Sequence, residues 1–183
     1  MVHEKWFISD THFFHTNILK FLDNKGQLFR GNIFKNTEDM NEYMVKKWNE
    51  VVGENDYVYH LGDVTFRYDG VFNNLMSRLK GKKRLIIGNH DKIWNPSLQK
   101  WFEKADLWKG FSEKQTGVKY GFTASHFPMQ QKQLRDGSFN VHGHVHQNES
   151  PEEHQINVSV EVIDYTPVHI DSIIEKIKQK QSA

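Results

Sequence analysis

Short apolar runs broken by polar turns alternate along this chain with stretches of helical period. "KWFIS", "YVYHL", "KRLII", "YGFTAS", "FNVHG" and "QINVSVEV" are rich in β-branched and aromatic residues and read as strands. "TEDMNEYMVKKWNEVV" sets Met40, Met44, Trp48 and Val51 at helical spacing, behind an N-cap at Thr37 and acidic residues in the first turn. "VFNNLMSRLKG" reads as a helix stopping at Gly81, and a further helix is expected to start near Thr16. "DSIIEKIKQK" is amphipathic, with Ile173, Ile174 and Ile177 on one face. Strands alternating with helices in the first half predict βαβ connections and a parallel sheet. "LWKGFSEKQTGVKYGFTASHF" predicts a hairpin turning near Thr116-Gly117. The pattern as a whole predicts an α/β fold with a mixed sheet, or two packed sheets, and helices outside.

Composition narrows this picture. The 183 residues carry no internal repeat, low-complexity tract or proline/glycine-rich linker, so a single domain over residues 1–183 is expected. A formal net charge of +1 gives no overall bias toward nucleic acid or an anionic membrane. With no cysteine, neither a disulfide framework nor a thiolate metal site is available. No window has the length of a membrane span and the N-terminus lacks a signal-peptide pattern, so a cytoplasmic location is expected. Eleven histidines are many for this length, and their placement carries the chemistry.

The strand ends hold that chemistry. "WFIS" runs into Asp10-Thr11-His12, "YVYHL" into Gly62-Asp63, and "RLII" into Gly88-Asn89-His90-Asp91. "FTAS" runs into His126, and "FNVH" into Gly143-His144-Val145-His146. In open α/β sheets the crevice beyond the carboxyl ends of the strands is the usual ligand site, so these groups can meet there. Residues i and i+2 of an extended segment point the same way, which would aim Asp10 with His12, and His144 with His146. Glycine before Asp63, Asn89 and His144 lets the backbone turn sharply and approach closely. Asp10, His12, Asp63, Asn89, His126, His144 and His146 offer oxygen and nitrogen ligands and no sulfur. That is too many for one tetrahedral zinc and suits two divalent cations sharing a bridging carboxylate. Any one motif alone reads as an ordinary strand end; their joint occurrence in this order does not.

In these residues the sequence resembles the calcineurin-like metallophosphoesterases, whose pattern is D-x-H, G-D, G-N-H-[DE], a single His and G-H-x-H. The match spans residues 10 to 146, and "SDTHFFHTNI" with "YVYHLGDVTF" is similar to the compact bacterial and phage members. The resemblance implies a four-layer αββα sandwich of two mixed β-sheets flanked by helices. It implies that Asp10, His12 and His146 hold one metal, that Asn89, His126 and His144 hold a second, and that Asp63 bridges them. The ions would be Mn, Fe, Zn or Ni. His90 would protonate or stabilise the leaving oxygen, with Asp91 accepting a hydrogen bond from it and raising its pKa. His15, Arg67 and Arg30 are candidate substrate contacts, the arginines because guanidinium matches phosphate oxygens.

The activity so implied is metal-dependent phosphoester hydrolysis, with a phosphodiesterase acting on a small phosphate ester or nucleotide favoured. A phosphomonoesterase (including a protein phosphatase) and a nuclease of the same fold are the alternatives; near-neutral charge disfavours nucleic acid as partner. A non-catalytic metal-binding scaffold is the reading from another class, and such a protein would typically have lost ligands or His90.

Overall fold

A computed structural model describes residues 3–30 and 33–182 of the protein. One sheet holds β1 (Lys5–Ile8), β2 (Tyr57–His60), β3 (Lys82–Ile86), β4 (Lys104–Asp106) and β9 (Val168–His169), in the order β4-β3-β2-β1-β9. β1 to β4 are parallel and β9 joins β1 antiparallel. The other sheet, β5 (Trp108–Gln115), β6 (Val118–Ser125), β7 (Phe139–His142) and β8 (Gln155–Asn157), has one antiparallel pair and two parallel ones. Four helices accompany them: α1 (Thr37–Val51), α2 (Gly70–Arg78), the single turn α3 (Pro96–Gln99) and α4 (Ile170–Gln181). The fold is thus α/β, with two mixed sheets and flanking helices.

Strand alternation divides the core. Ile8, Val58 and Leu85 face Met40, Met44 and Trp48 of α1 and Phe72, Leu75 and Met76 of α2. Phe7, Tyr59 and Ile86 face the other way, against Phe111, Phe122 and Val141 of the second sheet, and Ile173, Ile174 and Ile177 of α4 join that layer. A Trp48-sized side chain fully buried in such a layer contributes about 2–3 kcal/mol by area removed from water.

Local chemistry sets the element ends. The N-cap of α1 is Asn36 rather than Thr37: its backbone is extended and its carboxamide accepts from Asp39 N–H, while Thr37 is buried. α2 starts at the Asp69 carboxylate, which accepts from Val71 and Phe72 N–H, and ends at Arg78, short of Gly81. Near Thr16 a 3₁₀ turn (Thr16–Leu19) forms, with no side-chain cap to extend it. The hairpin turns at Thr116-Gly117, both with positive φ (48° and 85°), as a two-residue loop matched to strand twist requires. "QINVSVEV" is not one strand. β8 stops at Asn157 because Val158 changes sheets: its N–H bonds His142 O in one, and its C=O accepts from Ser9 in the other. Val160–Val162 then forms a 3₁₀ turn.

β2 ends on His60, whose Nε2 lies 2.9 Å from the Thr11 hydroxyl while Nδ1 is buried without a partner. Burial, then the nearby His126, lowers its pKa to about 3. A histidine depressed below its ordinary value of 6.5 contributes stability above that value and loses it as pH falls toward 3. Urea stability is therefore expected to fall as pH drops from 6.5 toward 4, and His60→Gln to flatten that slope. Equal slopes in both proteins would remove His60 as the cause.

Candidate metal centre

The motif residues lie beyond the carboxyl ends of β1, β2, β3, β6 and β7. β1 and β2 run parallel with Ile8 opposite His60, so the segments that follow leave the sheet side by side. Backbone bonds hold them together: Asp10 N–H donates to Gly62 O, His12 to Asp63 O and Phe13 to Val64 O. The side chains converge, but not through an extended chain. Asp10, His12 and Phe14 have φ of 58°, 46° and 63°, and Asp63, His144 and His146 have 59°, 70° and 52°. Left-handed backbone at alternate positions turns Asp10 and His12 to one side. Thr11 points into the core instead, where its hydroxyl donates to Val64 O. Non-glycine residues in this region cost about 1–3 kcal/mol each and cluster at functional sites.

Two glycines permit the close approach. A Cβ on Gly88 would lie 2.3 Å from Asp63 Oδ1 and 2.5 Å from Asp63 N; one on Gly143 would lie 2.0 Å from Ser9 Oγ and 2.3 Å from Asp10 Oδ2. Asp91 locks the same junction. Its carboxylate accepts from the backbone N–H groups of Asp63 (2.9 Å), Val64 (2.9 Å) and Gly88 (2.8 Å). The expectation that it accepts from His90 is thus corrected: its oxygens face buried backbone donors. Burial, only partly offset by those donors, raises its pKa.

Two groups of ligand atoms result, each with its members within 4.8 Å of one another: Asp10, His12 and His146, and Asp10, Asp63 and His126. Asp10 belongs to both groups, and Asp63 Oδ2 reaches one histidine of each, 3.6 Å from His12 Nε2 and 3.5 Å from His126 Nε2. His126 Nδ1–H donates to Leu61 O, which leaves Nε2 with a lone pair facing Asn89 Oδ1 at 2.9 Å. His144 lends its backbone N–H to Asp10 Oδ2 and holds its ring 5.1 Å from that of His126, in neither group.

The donor set fits cations. Asp10 Oδ1 and both nitrogens of His12 are buried with no hydrogen-bond partner, and two acceptors face each other across the His126–Asn89 gap. Unpaired buried polar atoms are expensive, and a positive ion would satisfy Asp10 Oδ1 together with the lone pair of the His12 ring. Burial, then the Arg30 guanidinium, holds His12 well below its ordinary pKa, so it presents a neutral, ligating imidazole. Burial likewise lowers His144.

With the site in place, comparison with known proteins is decisive. The family model described as calcineurin-like phosphoesterase matches residues 5–177. The chain belongs to that family. An uncharacterized protein of Methanocaldococcus jannaschii is 34% identical over 95% of this chain and 91% of its own. The Gene 66 protein of Mycobacterium phage L5 is 29% identical over 77% of this chain and 76% of its own. A crystal structure of an Aquifex aeolicus protein of unknown function superposes with a TM-score of 0.71 at 27% identity, over 95% of this chain and 99% of that one. As a calcineurin-like phosphoesterase the protein hydrolyses phosphoesters with divalent metal. No helix among the described residues is long and apolar enough to cross a membrane.

The outer candidates of this phosphoesterase divide. Arg30 is no phosphate clamp. It is 0% exposed, and its guanidinium donates to Asp10 O, Thr11 O and the Glu161 carboxylate. Arg67 pairs with Asp69 at the start of α2, over the Phe14 ring. His15 stacks on Phe66 at 3.9 Å and 17°, its ring 5.6 Å from that of His12, and burial lowers its pKa. His90 is exposed, its ring 5.9 Å from that of His12 and its N–H on Asp63 Oδ1.

Glu161 is the residue that sequence reasoning missed. Its side chain is buried, and it accepts from Arg30 Nε and from His146 Nδ1 at 3.0 Å each. Burial opposes the charged His146, but the hydrogen bond and charge of Glu161 prevail and raise its pKa. The carboxylate also occupies Nδ1 and so leaves Nε2 as the free ring nitrogen, while Phe29 covers the ring at 4.5 Å. Within "QINVSVEV" a lone Glu on an apolar run was its only signal. Glu161→Gln is expected to weaken metal binding by about 10–100-fold, read by calorimetric titration of metal into the stripped protein.

Proposed function

We propose that this phosphoesterase is a two-metal phosphodiesterase for small phosphate esters or nucleotides. The observation that supports it is one Asp63 carboxylate oxygen that lies 3.6 Å from His12 Nε2 and 3.5 Å from His126 Nε2, a histidine from each ligand group. Asp10, His12 and His146 would hold one ion, and Asn89, His126 and His144 the other. Bound divalent ions supply Lewis acidity to the phosphoryl oxygens and a water of lowered pKa. The residues do the rest. Asp10 Oδ2 is occupied by the His144 N–H, so Oδ1 alone faces inward, and the Leu61 carbonyl sets the His126 tautomer. His90, exposed beside these groups, would meet the leaving oxygen and give it a proton. His15, fixed by Phe66, lines the same mouth with a neutral ring.

The test loads the protein with Mn, Fe, Zn or Ni in turn. It assays bis(p-nitrophenyl) phosphate, p-nitrophenyl phosphate, nucleotides and cyclic nucleotides. Turnover of the diesters is expected, falling about 100-fold in His90→Ala with metal content unchanged. A protein that binds metal and turns over no phosphate ester would be a scaffold instead.

A further inference from the structure

Beside His90 the surface opens into a cleft of about 280 Å³ whose far wall, Tyr68, Lys92 and Trp94, has no part in the chemistry above. Phe66, Tyr68, Lys92 and Trp94 line it together with Asn89 and His90. Trp94 is 73% exposed and Phe66 42%, so two large apolar rings stand in water at the edge of the metal centre. Isolated exposed apolar residues are ordinary; several lining one concave surface next to a reactive group mark a binding site.

The wall is fixed in place. Phe66 rests one face on His15 and sits 5.1 Å from the His90 ring. The Tyr68 hydroxyl donates to His90 O at 3.3 Å and accepts from Lys92 N–H at 3.2 Å, tying the cleft to the loop that carries His90. Lys92 Nζ stands 5.6 Å from the Tyr68 ring centroid, leaving a cation at the rim. The volume lies below the roughly 300–1,000 Å³ of sites that enclose whole drug-sized ligands, and suits one ring of a larger molecule.

We propose that this cleft seats a flat aromatic ring carried by the ester, a nucleobase in the natural substrate, while the phosphate lies at Asn89 and His90. The proposal rests on the phosphodiesterase reading and names its substrate class. Stacking on aromatic side chains reads a π-face and tolerates any base, so nucleotides should be taken with little base preference.

The test is a binding comparison in the metal-loaded full chain, read by calorimetry, of adenosine 5′-monophosphate, p-nitrophenyl phosphate and ribose 5-phosphate. The two aromatic ligands are expected to bind about five- to tenfold tighter than ribose 5-phosphate. Trp94→Ala and Phe66→Ala should each shrink that advantage. Trp108→Ala, whose exposed indole lies at the start of β5, should leave it intact. An advantage for the nucleotide alone would make the cleft specific for bases, and one shared by both ligands a general aryl site; either supports the proposal. Equal binding of all three, or an advantage that survives both cleft variants, would overturn it. So would wild-type dimerisation abolished by Trp94→Ala with ligand preference unchanged, which assigns the patch to a second copy. Failure of the phosphodiesterase reading appears separately, as absence of turnover, because ring binding is read without catalysis.

Discussion

Asp63→Asn is expected to lower kcat by about a thousandfold while leaving the fold intact. Asp63 Oδ1 accepts from His90 N–H, and an amide oxygen can keep that bond. Oδ2 has no such substitute. It faces the Nε2 atoms of His12 and His126, and an amide would place a neutral NH₂ donor where the proposed bridging role needs an anion. Losing roughly 4 kcal/mol of charge stabilisation in the transition state corresponds to that thousandfold. Metal analysis of the purified variant should show fewer than two equivalents bound. Full turnover by Asp63→Asn would remove the bridging role.

Asp91→Ala should instead act on the fold. Three buried N–H groups, those of Asp63, Val64 and Gly88, end on this one carboxylate. Truncation strands them, at about 1–3 kcal/mol each before any water enters. A net loss of about 4 kcal/mol is reasonable after partial relaxation, or roughly 10 °C in Tm for a chain of this size. Metal affinity should fall with it, because the Gly88 and Asp63 loops are the ones that separate. Thermal unfolding of the metal-free protein isolates the structural part; an unchanged Tm there would show that Asp91 acts only with metal present.

The sequence carried the fold where a local rule decides the outcome. Alternating Phe7 and Ile8 sort to two faces, α1 and α4 follow their apolar stripes, and Thr116-Gly117 supplies the turn its hairpin needs. Two short strands, β4 and β9, escaped notice because three and two residues carry no period. The break after Asn157 depends on Ser9 pairing with Val158, a contact between segments nearly 150 positions apart that no local pattern encodes. In the site, Asp10, His12, Asp63, His126 and His146 could be named because motif residues follow apolar runs, and the structure brings them together. Their backbone could not be foreseen, since left-handed φ at Asp and His has no sequence mark. Arg30 shows the same limit. Charge suggested a phosphate contact, but burial decides that it holds the backbone of Asp10 and Thr11.

The spread of these side chains along the chain bears on when the protein can acquire metal. His146 and the Glu161 carboxylate that orients it emerge some 136 and 151 residues after Asp10. At about 5–20 residues per second, the first ligand waits on the order of ten seconds for the last. Until His146 and Glu161 emerge, the group around Asp10 and His12 lacks its third donor and the carboxylate that orients it. The choice of metal thus waits for the fold that brings these distant donors together.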